Sequence, residues 1–171
     1  MTSSTGAPCI LGQSAGKLKL TCSGINALTD TAAAVNADTS GVIYGDCDIT
    51  VTKNSTGTLN ITSSMNTAIR SKDDIKLNGG DISINTDVDA TSDADAIRAN
   101  NTLEIDGASV TVTSSADGLK SSKEDVSILS GKVSIKAGND AMQAATALNI
   151  SGGTVTASGD RGFCLLYTSP S

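Results

Sequence analysis

Ala68-Ile69-Arg70-Ser71-Lys72-Asp73-Asp74-Ile75-Lys76-Leu77-Asn78-Gly79-Gly80-Asp81-Ile82-Ser83-Ile84 reads as one coil of a repeating chain. Its apolar residues alternate with polar ones: Ile75 and Leu77 precede a glycine turn, and Ile82 and Ile84 follow it. Alternation at period two places these four on one face of a strand and Lys76 and Ser83 on the other. The same grammar returns along the chain. Ile69 is succeeded by Ile97, Leu119, Met142 and Phe163, at steps of 28, 22, 23 and 21 residues. After the first three of these successors come Leu103/Ile105 with Val110/Val112, Val126/Ile128 with Val133/Ile135, and Leu148/Ile150 with Val155/Ala157.

One such coil cannot bury its inner face alone. Stacking coils at the inter-strand spacing of roughly 4.8 Å aligns like positions into apolar ladders and lets backbone hydrogen bonds pass between coils. The expectation is an all-β, right-handed parallel β-helix with coils of about 21–28 residues, occupying residues 41–163. An earlier coil starts at Val42-Ile43-Tyr44 and uses Ile49, Val51, Leu59 and Ile61. Residues 1–40 read as an incomplete N-terminal coil or cap that includes Leu18, Leu20, Ile25 and Leu28. The alanine run within Thr29 to Asp38 is the one stretch that could carry a short helix. Residues 164–171 fit no coil position and read as a truncation or an out-of-frame tail.

Composition fits this architecture and narrows the function. Hydrophobic residues make up 38% of the chain but aromatics only 2%, so the core must be layers of Ile, Leu, Val and Ala. A net charge of −6 argues against nucleic acid, whose phosphates call for a basic surface. No apolar run is long enough to insert into a membrane. Histidine is absent, which excludes imidazole metal sites, and the four cysteines allow either three disulfide pairings or free thiols.

The phrase Ile69-Arg70-Ser71-Lys72-Asp73-Asp74-Ile75-Lys76-Leu77-Asn78-Gly79-Gly80, with Asp117-Gly118-Leu119 and Asp140-Ala141-Met142, resembles the bacterial carbohydrate-binding β-helix domains described from cellulolytic clostridia. Those are similar in fold to pectate lyases. The resemblance spans roughly Gly24 to Phe163. It implies binding of plant cell-wall polysaccharide, including polygalacturonate, with bound calcium. A secreted or cell-surface location is the expectation that goes with such a ligand. The chain is shorter than that family at both ends, which reads as a piece of a longer protein.

In a solenoid, equivalent residues stack into stripes. One stripe follows the central apolar residue of each coil: Tyr44, Arg70, Arg98, Lys120 and Gln143, candidates for contacting a ligand. Beside it runs an acidic stripe, Asp95, Asp117 and Asp140, flanked by Asp93 and Asn139. Stacked carboxylates repel, so they need a partner. Calcium is one, because it accepts six to eight oxygens in loose geometry. Turn-capping by each aspartate is the other. The segment Asp87 to Asp95 concentrates carboxylates but lacks the glycine and terminal glutamate of an EF-hand. The basic stripe could meet uronate carboxylates, arginine offering paired donors, or it could simply balance the aspartates.

With no Trp, and with Tyr44 as the one aromatic on the regular coils outside the poorly defined C-terminal end, a charged polysaccharide suits the chain better than crystalline cellulose. The expected function is therefore a non-enzymatic module for an acidic polysaccharide. Its alternatives are a structural spacer without a ligand, a polysaccharide lyase using Lys72 or Arg98 as base, and an ice-binding solenoid using Asn60, Ser83, Thr111, Ser134 and Thr156.

Overall fold

The computed structural model describes residues 1–13, 16–88 and 92–166. Each full coil contributes three strands, one more than alternation suggested. The extra strand is the repeat anchor itself. Ile10–Gly12, Gly41–Gly45, Thr67–Ser71, Ile97–Ala99, Leu119–Ser121, Asp140–Ala144 and Arg161–Leu165 form a seven-stranded parallel sheet, which we name the anchor face. Lys17–Leu20, Asp48–Val51 and Ile75–Leu77 begin a second face, and Ile25–Asp30, Thr58–Ser63 and Asp81–Thr86 belong to a third. In the next two coils the second and third faces are one continuous strand each, Leu103–Ser114 and Val126–Ala137. The final coil contributes Leu148–Ile150 and Thr154–Ser158.

Every strand pairing is parallel and joins equivalent positions of adjacent coils, so the product is a parallel β-solenoid. Isoleucine and valine dominate its inner positions because branched side chains pack well on a pleated surface. Ile43, Ile69, Ile97, Leu119 and Met142 form one buried ladder under the anchor face. Ile61, Ile84, Val112 and Ile135 form another under the third face. The corner between the second and third faces turns on glycine. Gly80, Gly107, Gly131 and Gly153 all have positive φ, between 77° and 103°, which an L side chain rarely adopts. At Gly107 the turn is a register shift between the paired strands, so the ladder bends there without ending.

The N-terminal region differs from its sequence reading in three respects. Ile10 pairs with Ile43 and so starts the anchor ladder one coil earlier. Ile25 is not core: it pairs with Thr58 and is 85% exposed, because Leu28 against Ile61 and Asp30 against Ser63 fix a register that turns it outward. The short helix does not form; Ile25–Asp30 is a strand, and no helix occurs among the described residues. Asp30 instead organises the following corner. Its Oδ1 accepts the Ala32 N–H at 3.0 Å, and its Oδ2 accepts from Ser63 at 2.9 Å and Asn66 at 2.8 Å. At the other end Leu165, placed by its sequence in the tail, is a strand residue paired with Ala144. All four cysteines are free thiols.

Candidate functional site

The outward positions of the anchor face stack as the repeat implies. Tyr44 pairs with Arg70, Arg70 with Arg98, Arg98 with Lys120, and Lys120 with Gln143. Their exposure is uneven. Tyr44 is 1% exposed, its hydroxyl donating to Asp46 at 3.1 Å and the Lys72 ammonium lying 5.8 Å from its ring centroid. Gln143 is buried too, its amide donating to Asp140 at 2.8 Å. Neither offers a surface to a large ligand, so the reachable part of the stripe is Arg70, Arg98 and Lys120.

The acidic stripe lies two residues before each anchor residue and is almost wholly buried: Asp95 5%, Asp117 2% and Asp140 0% exposed. Each aspartate reaches to the next coil. Asp95 Oδ1 accepts the Asp117 N–H at 3.2 Å, and Asp117 Oδ1 accepts the Asp140 N–H at 3.1 Å and the Asn139 amide at 2.7 Å. These bonds satisfy backbone donors that would otherwise be orphaned inside the stack. The remaining oxygens meet cations. Lys120 Nζ is 2.7 Å from Asp117 and 3.8 Å from Asp95, and Arg98 is 3.8 Å from Asp95. Asp140 is closed by Arg161, whose Nε donates at 2.7 Å. Arg161 went unnoticed in the sequence although the repeat marks it: it pairs with Asp140 and so occupies the place of the next aspartate.

These contacts bear on calcium. Asp117 and Asp140 already use both oxygens, the Asn139 side-chain oxygen faces the Arg161 guanidinium at 3.5 Å, and Asp93 is exposed. Among the described residues no group of three or more acidic, cysteine or histidine side chains is arranged to hold a metal ion. As placed, the proposed donor set does not fit a calcium ion without displacing Lys120 or Arg161. Part of the acidic loop, Asp89 to Thr91, lies outside the described residues.

The arginines differ from Lys120 in their surroundings. Arg98 Nε donates to Ser122 at 3.3 Å, while an Arg70 terminal nitrogen donates to Ser40. Among the described residues no carboxylate comes within ion-pair distance of Arg70. Partial burial and the neighbouring Arg98 lower its pKa from the ordinary value, yet an arginine remains cationic. Arg70, Arg98, Asp93 and Asp95 line a cavity of about 220 Å³ together with Val35, Ser40 and Met65. Val35 and Ser40 come from the loop after the third-face strand Ile25–Asp30, which is why the stripe alone did not reveal the cavity. Burial pushes the Asp95 carboxyl up to about 6, only partly offset by Lys120 and Arg98.

Lys72, one of the two candidate bases for a lyase, is bound 2.7 Å from Asp46, and that hydrogen bond raises its pKa. A base that removes a proton at neutral pH needs the opposite shift.

A family model described as carbohydrate-binding domain-containing protein matches residues 1–163, a span that takes in all but the last few residues of the chain. No curated protein and no solved structure matches. The chain belongs to that family of carbohydrate-binding proteins.

Proposed function

We propose that this member of the carbohydrate-binding family acts outside the cell as a non-catalytic module, and that its ligand is an acidic plant cell-wall polysaccharide of the polygalacturonate type. The observation that carries this reading is the stacked pair Arg70 and Arg98, in register on one face and opening together onto a cavity. Neighbouring coils repeat at roughly 4.8 Å, so two guanidinium groups recur along the solenoid axis on one face and can meet more than one carboxylate of the same chain. Arginine binds a carboxylate with two parallel donors, which gives direction as well as affinity. The chain as a whole carries −6, so long-range attraction does not draw a polyanion in. Affinity must come from these local cations.

A calcium ion bridging ligand carboxylates to the acidic stripe is the alternative to direct contact. The engagement of Asp117 and Asp140 by Lys120 and Arg161 favours direct arginine contact over such a bridge. Calorimetry with polygalacturonate, its methyl ester and a neutral glucan, each with calcium or with EDTA, tests both points. The reading predicts binding of polygalacturonate in EDTA, loss on esterification, and little affinity for the glucan. Equal affinity for all three contradicts the acidic ligand, and binding only with calcium contradicts direct contact.

A further inference from the structure

The cavity beside Arg70 and Arg98 combines features that no simple ion satisfies. Asp95 lines it, is 5% exposed, and spends one oxygen on the Asp117 N–H. Its other oxygen, Oδ2, has Arg98 and Lys120 at 3.8 Å and, among the described residues, no donor within hydrogen-bond distance. That sets it apart from Asp117 and Asp140, whose second oxygens are met by close donors at 2.7 Å and 2.8 Å. Arg70 brings donors from the neighbouring coil, and Val35 and Met65 add an apolar wall.

A bare anion entering here would sit against the Asp95 carboxylate. A bare cation would sit against two arginines. The occupant must carry a hydrogen-bond donor and an acceptor on neighbouring atoms, together with an apolar patch of C–H groups. A sugar ring has all three. At about 220 Å³ the cavity falls below the roughly 300–1,000 Å³ of typical small-molecule sites, so it suits a single ring of a longer chain.

We infer that this cavity is a single-residue sugar subsite in which Asp95 Oδ2 accepts a ring hydroxyl while Arg70 and Arg98 hold the acceptor groups of the same sugar. Asp95 is then the residue that selects for an unsubstituted hydroxyl, and the arginines select for the acid group. The inference rests on the acidic-polysaccharide reading and adds to it a demand on the ring hydroxyls.

The test compares a galacturonate oligomer of defined length with the same oligomer O-acetylated on its ring hydroxyls, each titrated into the parent protein and into Asp95→Asn. Asparagine keeps an acceptor for the Asp117 N–H but turns a donor toward the cavity. Loss of a hydrogen bond to a charged acceptor corresponds to about tenfold in affinity or more. The parent is expected to bind the free oligomer at least that much more tightly than the acetylated one, and Asp95→Asn to bind weakly without discriminating. Equal affinity of the parent for both oligomers overturns the inference, and this arm needs no variant to fold. A variant that melts as a folded protein and binds the free oligomer as well as the parent does also overturns it. Failure of the parent to bind either oligomer overturns the acidic-polysaccharide reading itself.

Discussion

Asp117→Ala separates a structural aspartate from a metal-binding one. In the structure the carboxylate is 2% exposed and answers three donors: the Asn139 amide at 2.7 Å, the Asp140 N–H at 3.1 Å and the Lys120 ammonium at 2.7 Å. Truncation leaves a buried backbone N–H without a partner and leaves Lys120 with only Asp95 at 3.8 Å. Breaking a fully buried ion pair from one side costs about 3–5 kcal/mol. Lys120 retains 21% side-chain exposure, so the lower end, about 3 kcal/mol, is the expected loss. For a chain of this size each kcal/mol moves the melting temperature by about 2–4 °C, which gives a fall of about 6–12 °C. The assay is thermal melting followed by circular dichroism in EDTA, where any calcium contribution is absent. A variant melting within about 2–4 °C of the parent in EDTA, with a larger gap when calcium is added, would refute the argument and return the acidic stripe to calcium.

Further outcomes follow from particular contacts. Because the Asp95 pKa lies at about 6 in the folded chain against an ordinary 3.8, its contribution is fully present below about pH 4 and is lost as pH rises through about 6, worth ~3 kcal/mol. The melting temperature of Asp95→Asn minus that of the parent should therefore grow from pH 4 to pH 7, and a flat difference would exclude the burial penalty. Gly118→Ala should destabilise by about 1–3 kcal/mol in urea unfolding, because the new Cβ would lie 2.5 Å from Ile135 Cγ2 and 2.6 Å from the Ala141 carbonyl oxygen. Ile97→Ala should cost about 2–5 kcal/mol, since Ile97 is fully buried between Ile69 and Leu119. Phe163→Ala in the same ladder, 54% exposed on the last coil, should cost about 1 kcal/mol or less, and equal losses at the two positions would contradict the stacked order.

The sequence made the solenoid legible wherever inner and outer residues alternate strictly, as in Ile82-Ser83-Ile84 and Val110-Thr111-Val112. It failed where register is fixed from a distance. Ile25 is the most hydrophobic residue of its strand's first half, yet the pairing of Leu28 and Asp30 with the next coil turns it to solvent. Ile10 was hidden because 33 positions separate it from Ile43, longer than any step in the regular coils, and Thr31 to Ser40 lie in between. The third strand of each coil was missed because Ile69-Arg70-Ser71 is too short to show alternation.

The candidate site divides along the same line. Which residues stack on which was readable, since spacing alone places Arg70, Arg98 and Lys120 in one column. Burial was not. Tyr44 and Gln143 occupy outward positions but are covered, Gln143 with its amide bonded to Asp140 and Tyr44 beside Lys72 and Asp46. The cavity wall from Val35 and Ser40 depends on where a loop settles, which period-two patterning does not encode.

The measurement that tests the account most directly is the dissociation constant of polygalacturonate for the parent and for Arg70→Gln/Arg98→Gln, in EDTA at neutral pH. Glutamine keeps a hydrogen-bond donor at each position and Lys120 still faces Asp95 at 3.8 Å, so the double variant should fold, and its melt is recorded beside the parent's. The account predicts measurable binding by the parent and a loss of about a hundredfold or more in the variant, one charge-assisted contact for each arginine removed. A folded double variant that binds as tightly as the parent would place the ligand on another surface and contradict the account.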